Sequence, residues 1–346
     1  MDFSNTRINK LSVHYIGNQS NDEELILSVQ TLDTDALLAE KLCGFFLNKF
    51  PAVFEAYQFY HPSSLSYNEV YNFSLDILKK ETPFHELSRS IARHLFSCST
   101  HPKVNAGELY VCHFENCELN GKSTDAVGIF KTETKNGFFE VQNKQNSFEI
   151  QYKEGIDINK IDKACLILNS EKENGFLVYI IDNQNRGEEA KYWRDNFLGL
   201  KQISNEFHQT REFLSMTKSF VTKQLPEEFE VDKTDKIDLL NRSVEYFKSN
   251  ETFDKSDFEQ EVLQNEDLID SFQKYDNSYR ADRELNFSDG FDISAPAVRK
   301  QARVFKSVLK LDKNFHIYIH GNRELIEKGV DQNGRKFYKI YFEDEH

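Results

Sequence analysis

The sequence has no long hydrophobic run. Its longest apolar stretch, around residues 42–47, is far shorter than the ~18 apolar residues that a membrane-spanning helix needs. The opening Met1-Asp2-Phe3 does not begin the charged-then-apolar pattern of a secretory signal. We therefore expect a cytoplasmic protein without a membrane partner.

Cysteine is scarce, and the few cysteines present form no recognisable framework. They are odd in number and scattered through 346 residues: Cys43, Cys98, Cys112, Cys117 and Cys165. A secreted disulfide scaffold would show a dense, even set, so reduced thiols are expected. Together with His101 and His113, Cys98, Cys112 and Cys117 supply enough donors for zinc, but their spacings differ from the usual two-residue knuckle. We predict no metal, disulfide or cofactor.

The usual catalytic signatures are also missing. No Gly-x-Ser-x-Gly element occurs, and His113 lies in an alternating segment that favours a structural role. Gly121-Lys122-Ser123 lacks the upstream glycine of a phosphate-binding loop. The acidic residues over 254–270 lack the central glycine of a calcium loop, which favours a solvated helix face. We therefore expect a protein that is not an enzyme.

What the chain does have is a sharp segregation of charge. Residues 225–297 carry 8 Lys/Arg against 20 Asp/Glu, a net charge of −12, whereas residues 298–323 carry 7 against 1, a net charge of +6. The whole chain is acidic, with a formal net charge of −14. Any contact with a polyanion must therefore be local, because most of the surface repels it.

The cations of the basic segment follow a helical period. Arg299, Arg303, Lys306 and Lys310 recur at steps of four, three and four, which on a helix would place them along one side. The opposite side would be apolar and could dock on the fold, through Val298, Ala302, Phe305 and Leu309.

Stacked like charges repel one another, so they favour an external anion, and DNA is the first candidate. With Lys300 and Lys313, the four periodic cations form the predicted DNA-binding set. The alternative is a solvated face that balances the preceding acidic segment, and the sequence favours the two readings about equally.

Apolar periodicity predicts an α+β fold. Helices are expected over about 34–50, 69–79 and 84–96, with Thr34 as the first N-cap. Strands are expected over 8–15, 25–29, 109–114, 126–132, 138–143, 148–152, 164–168 and 176–181. Asn120-Gly121, Asn136-Gly137 and Asn174-Gly175 favour tight hairpin turns. The pattern indicates an antiparallel sheet with helices packed on one face.

The second half turns helical. One or two helices are expected over 189–225, followed by an acidic linker at 226–235 and helices over 236–249 and 255–275. Ser294 and Pro296 predict the start of the basic helix, and a terminal β-meander follows. We predict an α+β domain over 1–225, and a second region over 226–346 that combines the acidic helical segment, the basic helix and the meander.

Several segments, in this order and spacing, resemble the bacterial nucleoid-associated proteins of the NdpA-like family. They are GELYVCHF at 107–114, DAVGIFK at 125–131, IDI at 156–158, Lys163-Ala164, Tyr192-Trp193, FLG at 197–199 and KLDKNFHI at 310–317. The resemblance spans essentially the whole chain. It rests on the set of segments, because none of them alone is a diagnostic motif.

The resemblance implies an α+β nucleoid protein of the bacterial cytoplasm that associates with DNA without enzymatic activity or a cofactor. It provides no residue-by-residue DNA site, so the site is predicted from charge alone. Double-stranded DNA is the expected partner, and nucleoid proteins and a second copy of the chain are further candidates. An acidic interaction or DNA-mimic module that reaches the nucleoid through a protein partner is the alternative.

Overall fold

The chain divides into two compact units, Met1–Ile203 and Ser204–His346. This computed structural model describes residues 1–145, 147–183, 192–283, 285, 288–303, 305, 308–311, 314–318 and 325–344. The fold class predicted from the sequence is confirmed: helices pack with an antiparallel sheet, and further helices and C-terminal strands follow.

A seven-stranded antiparallel sheet forms the centre of the first unit. Its strands are β1 (Arg7–Ile16), β2 (Tyr57–Phe59), β3 (Gly107–Leu119), β4 (Lys122–Thr132), β7 (Lys163–Leu168), β8 (Leu177–Asp182) and β9 (Leu200–Gln202). They lie in the order β1-β3-β4-β7-β8-β2-β9. The two hairpin-forming glycines of this sheet, Gly121 and Gly175, have positive φ angles of 76° and 100°, as the predicted turns require.

Helices α1 (Ala36–Leu47), α2 (Glu69–Lys79) and α3 (Phe84–Cys98) cover this sheet. Alternate residues of β3, β4, β7 and β8 enter two separate cores, so the expected one-sided packing is wrong. Helices α2 and α3 contribute to one core. On the other face, Phe46 of α1 stacks on Phe130 of β4 with ring centroids 4.3 Å apart. Helix α1 is capped by Asp35 rather than by Thr34.

Strands β5 (Lys135–Lys144) and β6 (Ser147–Ile156) form a separate two-stranded sheet, which we call the arm. Both strands were predicted, but their expected place in the main sheet is wrong. Asp162 fixes the point where the chain leaves β4: Oδ2 accepts from the backbone N–H groups of Glu133 (2.7 Å) and Thr134 (2.9 Å).

Two other expectations for the first unit are wrong. The strand predicted over 25–29 is reduced to a single bridge between Tyr15 and Ile26. The helix predicted from 189 does not run continuously, because a π-helical turn over Tyr192–Phe197 is followed by β9. Residues 184–191, which belong to the same prediction, lie outside the described residues.

The second unit is built mainly from helices around one aromatic-rich core. Its helices are α4 (Glu206–Ser219), α5 (Leu225–Glu228), α6 (Lys233–Ser249), α7 (Lys255–Phe258), α8 (Glu266–Asp282) and α9 (Ala295–Ala302). A π-helical turn over Phe220–Gln224 joins α4 to α5, and another over Glu259–Leu263 follows α7. The predicted linker is therefore partly helical, and Asp232 and Asp235 form a capping box at the start of α6.

The remaining described strands of the second unit form three antiparallel pairs. They are β10 (Thr252–Asp254) with β11 (Gly290–Asp292), β12 (Val308–Leu311) with β13 (Phe315–Tyr318), and β14 (Ile326–Val330) with β15 (Lys336–Ile340). The predicted C-terminal strands are confirmed, although the described residues form separate pairs instead of one continuous meander. Ile326 and Tyr338 pack with Ile237 of α6, which connects the last pair to the helices.

Candidate nucleic-acid interface

The basic segment begins on helix α9, which docks on α4. Gln301 Nε2 donates to Ser215 Oγ at 3.2 Å, and the backbone N–H of Ser294 donates to Thr210 Oγ1 at 3.0 Å. Ser294 occupies the N-cap position as predicted, but its side chain makes no capping hydrogen bond. Pro296 lies in the first turn, where a backbone N–H has no acceptor within the helix, so the lack of an N–H in proline costs no helical hydrogen bond.

The apolar side predicted for this segment packs into the core of the second unit. Val298 and Phe305 are buried there, and Ala302 is partly buried beside them. The side chain of Leu309, the fourth predicted member, lies outside the described residues. Three of the four residues therefore anchor the segment, so its polar side is held in a defined orientation.

That polar side presents three cations to solvent: Arg299, Lys300 and Arg303 are all exposed. The ammonium of Lys300 also lies 5.6 Å from the ring centroid of Phe207, within range of a cation–π interaction. Arg299 and Lys300 occupy the last turn of α9, where the helix dipole favours positive charge. Arg299 and Arg303 are one helical turn apart, because Arg303 at the C-cap keeps right-handed helical angles.

The helix is shorter than the charge pattern suggested. It ends at Ala302, and Lys310 lies on strand β12, which pairs with β13. A single helical stripe from Arg299 to Lys310 is therefore wrong. Lys306 and Lys313 lie outside the described residues, as does the side chain of Lys310.

The acidic segment has its own counter-charges. Asp276 pairs with Lys255 and Arg280, each at 2.6 Å, and Asp238 pairs with Arg242 at 2.9 Å. All of these cations belong to the acidic segment itself. By contrast, within the described ranges Arg299 and Arg303 form no ion pair with a carboxylate. Their charge therefore remains available to an external anion.

One cation near the basic segment is not predicted from the sequence. Lys218, on α4, places its ammonium 6.0 Å from the ring centroid of Phe305, two residues beyond Arg303. In the sequence it lies 81 residues upstream of Arg299, so only the packing of α9 against α4 reveals that it belongs to this region.

The cysteines offer no comparable site in the part of the chain that the structure describes. No three His, Cys, Asp or Glu side chains converge there as metal ligands. Burial raises the pKa of the Cys117 thiol to about 12 and that of Cys112 well above its usual value, so both stay protonated near neutral pH. These thiols act as small apolar groups in the core next to Phe46.

The exposed cations of the basic segment are chemically suited to binding phosphate. Guanidinium and ammonium groups are donors only, and arginine matches the geometry of a phosphate with two parallel hydrogen bonds. If these cations contact only phosphates, they do not discriminate between bases, because phosphate contacts carry no direct sequence information. The arrangement therefore suits a nucleic-acid backbone or another polyanion.

Comparison with known protein families gives an independent result. The model of a family described as nucleoid-associated protein YejK matches residues 12–335, which is most of the chain. A search of curated proteins found no match. No described helix combines the length and hydrophobicity that crossing a bilayer requires. The match extends over the main sheet, the helices of the second unit and the basic segment, and the chain therefore belongs to the nucleoid-associated protein YejK family.

Proposed function

We propose that the protein is a non-catalytic DNA-binding protein of the bacterial cytoplasm, and that it contacts duplex phosphates in the nucleoid through its basic segment. The contact set is Arg299, Lys300 and Arg303, extended by the predicted Lys306, Lys310 and Lys313. The observation that supports it best is the exposure of Arg299 and Arg303 without a described carboxylate partner on a helix whose other side is buried.

The overall charge shapes how such binding would behave. A protein with a net charge of −14 is repelled by DNA over most of its surface, so the complex depends on one local patch. Binding through phosphates releases condensed counterions, and affinity then falls as salt rises. Unrelated duplexes should bind with similar affinity, because the patch does not read base edges.

The alternative function has its own supporting observation. Glu227, Glu230, Glu266, Asp267 and Asp270 are exposed on the second unit, so the acidic segment also presents a charged surface. Such a surface could bind a basic partner or imitate DNA. In that case the cations of α9 would be dispensable for association with the nucleoid.

A titration of duplex DNA at several salt concentrations, followed by fluorescence anisotropy, tests the proposal. If about four phosphates are neutralised, log affinity should fall against log salt with a slope of roughly −3.6. The variant Arg299→Ala/Lys300→Ala/Arg303→Ala should flatten that slope by about one unit per residue. Its affinity for unrelated duplexes should fall equally.

The matched control is Lys233→Ala/Lys248→Ala/Lys274→Ala. These lysines are exposed in the same unit but lie outside the basic segment, and their loss changes the net charge by the same amount. The control should keep the wild-type slope. If the α9 variant folds normally and also keeps the full affinity and slope, direct contact through this patch is refuted. If both variants weaken binding equally, only the net charge matters.

A further inference from the structure

The arm of the first unit exposes an apolar face over its outer part, from the pair Phe139–Tyr152 toward the turn. Cross-strand pairs place Phe139 opposite Tyr152 and Val141 opposite Ile150, with Phe148 beside Asn143 nearer the turn. Side chains alternate between the faces of a strand, so these five apolar residues share one face. All five are between 59% and 73% exposed.

The opposite face of the arm is polar and electrically balanced. It carries the ion pairs Lys153–Glu140 and Lys144–Glu149. Counted over 135–156, the arm has three lysines and three glutamates, a net charge of zero. The arm is therefore amphipathic, with five large apolar side chains on one face and only Phe138 among the polar residues of the other described face.

A two-stranded sheet with an uncovered apolar face is poorly stable in water. Each strand of ten residues is roughly 33 Å long. The arm is supported by its hairpin pairing and, at its base, by the ion pair between Lys135 and Glu108, and none of its described residues is buried. The carboxylate of Asp162 holds its base through hydrogen bonds to Glu133 and Thr134. A fixed base and an uncovered face are expected of a surface that is completed by a partner.

We propose that this face binds the same face of a second copy, so that two arms form a small β-sandwich about a two-fold axis. Large aromatic rings lie at both ends of the face, with Phe148 near the turn and Phe139 with Tyr152 near the base. The smaller Val141 and Ile150 lie between them. In an antiparallel arrangement the ring near the turn of one arm meets the rings near the base of the other, and the smaller residues meet at the axis.

The area of the apolar face of the arm is suited to binding a second copy of the chain. A fully covered aromatic side chain buries about 150–250 Å², so the three partly exposed rings offer roughly 300–500 Å². Val141 and Ile150 bring the face closer to the roughly 800 Å² that each partner contributes to a stable interface. A contiguous apolar area of this size is comparable to the largest patch on a typical monomer, about 300–600 Å², and such patches often have a function.

Charge argues for a second copy over a polyanion. The one cation on the apolar face of the described arm, Lys135 at its base, is paired with Glu108 at 2.7 Å, and the lysines of the polar face are paired with glutamates, so neither face attracts phosphates. Two copies with a net charge of −14 each repel one another. The arm has no net charge, so two copies that meet through their arms avoid charge repulsion at the contact itself. The inference rests on the arm alone and is independent of the proposed DNA site.

Sedimentation of the full chain at concentrations from about 1 to 100 μM tests the proposal, with dimer affinities around the micromolar range expected for an interface of modest area. The wild type should show a monomer–dimer equilibrium that 0.5–1 M salt does not dissociate. At 1 M salt the Debye length is roughly 3 Å, so charge–charge interactions are screened, whereas apolar contacts are not. Phe139→Ser/Phe148→Ser should weaken the dimer at least tenfold. Phe138→Ser is the matched control, because Phe138 is the adjacent residue of the same type on the polar face.

Disulfide trapping provides a second test that does not require loss of folding. In a background with Cys43→Ser and Cys98→Ser, Val141→Cys should form an intermolecular disulfide under mild oxidation, because residue 141 lies near the proposed axis. Gln142→Cys, on the opposite face, should not. A monomeric wild type at 100 μM, or equal trapping at both positions, would overturn the proposal. So would a loss of DNA affinity in Phe139→Ser/Phe148→Ser with unchanged mass, which would assign the face to DNA.

Discussion

At the scale of single residues, His14 shows how a buried polar group is held in one protonation state. The backbone N–H of Ser28 donates to Nδ1 at 3.2 Å, and Nε2 lies 3.0 Å from Ser88 Oγ. Ser88 in turn donates to the carbonyl of His85 at 2.7 Å, so its oxygen accepts from His14. The neutral ring with its proton on Nε2 satisfies both contacts. A second proton on Nδ1 would face the donor of Ser28.

Burial, reinforced by the charges of His85, Arg89 and Arg93, lowers the pKa of His14 to about 4. The unfolded chain therefore takes up a proton as pH falls below about 6.5, whereas the folded chain does so only near 4. The free energy of unfolding should accordingly fall over this window, by about 3 kcal/mol from His14. Above about 6.5 this contribution is constant.

Urea denaturation of the wild type and His14→Gln between pH 7 and 4 measures this contribution. Glutamine does not titrate, so the stability gap between the two proteins should narrow as pH falls. The other titrating groups are common to both proteins and cancel in the difference. Parallel stability curves across the whole range would show that His14 is not the source of the pH dependence.

At the scale of elements, regular periodicity was a reliable guide to local structure. The helix predicted over 69–79 is confirmed as Glu69–Lys79, and the next one as Phe84–Cys98. Both have an apolar stripe that a single sheet face accepts, so local pattern and tertiary packing agree. The three-residue strands β2 and β9 were missed, because so short a segment shows no period.

The basic segment shows where periodicity fails. Steps of three and four from Arg299 to Lys310 fit a helix, yet the chain leaves the helix after Ala302 and pairs 308–311 with 315–318. The hairpin that these strands form, together with the packing of Leu311 and Ile317 against Ile237, overrides modest helix propensity. The three cations that remain on or next to α9 were predicted correctly as exposed, whereas Lys218 required knowledge of how the helices pack.

Helices α7 and α8 are joined by a buried ion pair that the sequence did not indicate. Asp276 is fully buried and accepts from Lys255 Nζ and Arg280 Nε, both at 2.6 Å. Asp276→Asn would remove the carboxylate that pairs with Lys255 at 2.6 Å, whereas Arg280 would keep its second ion pair, with Asp289 at 3.1 Å. We expect it to lower the free energy of unfolding by about 3–5 kcal/mol, the usual cost of breaking a buried pair.

The matched control is Asp270→Asn on the same helix, where the side chain is exposed. It makes the same chemical change, and it should alter the free energy of unfolding, measured by urea denaturation, by no more than about 0.5 kcal/mol. Similar midpoints for the two variants would mean that the Asp276 pairs add little net stability. That outcome is physically reasonable only if solvent reaches Lys255 and Arg280 after the substitution.

At the scale of the whole molecule, charge is separated by segment in a way that composition alone does not reveal. The formal charge of −14 would suggest a protein that avoids DNA, yet a +6 segment follows a −12 segment directly. The structure shows that the acidic segment uses its own lysines and arginines, as at Asp238 and Asp276. The two segments can therefore keep opposite roles within one unit, and family membership agrees with a role at the nucleoid.

The domain boundary predicted from the sequence remains open to direct measurement. The compact units divide between Ile203 and Ser204, whereas the sequence places the boundary in the acidic stretch at 226–235. In that stretch Glu227, Glu228 and Glu230 are exposed, whereas Phe229 and Val231 pack partly on the core. Exposed glutamates next to a helix end are accessible to a glutamate-specific protease.

Limited digestion with such a protease, read by mass spectrometry, should give first cuts between 226 and 235 and leave residues 1 to about 225 resistant. The physical reason is that this stretch has few buried side chains and lies between two helix ends, so it opens locally more easily than the sheet does. First cuts near 203–204, detected with a protease of broad specificity, would place the boundary at the division between the compact units instead. First cuts within strands β3, β4, β7 or β8 would contradict the prediction outright, because these strands of the main sheet should be the last part of the first unit to open, whereas the exposed arm over 135–156 lies outside that sheet.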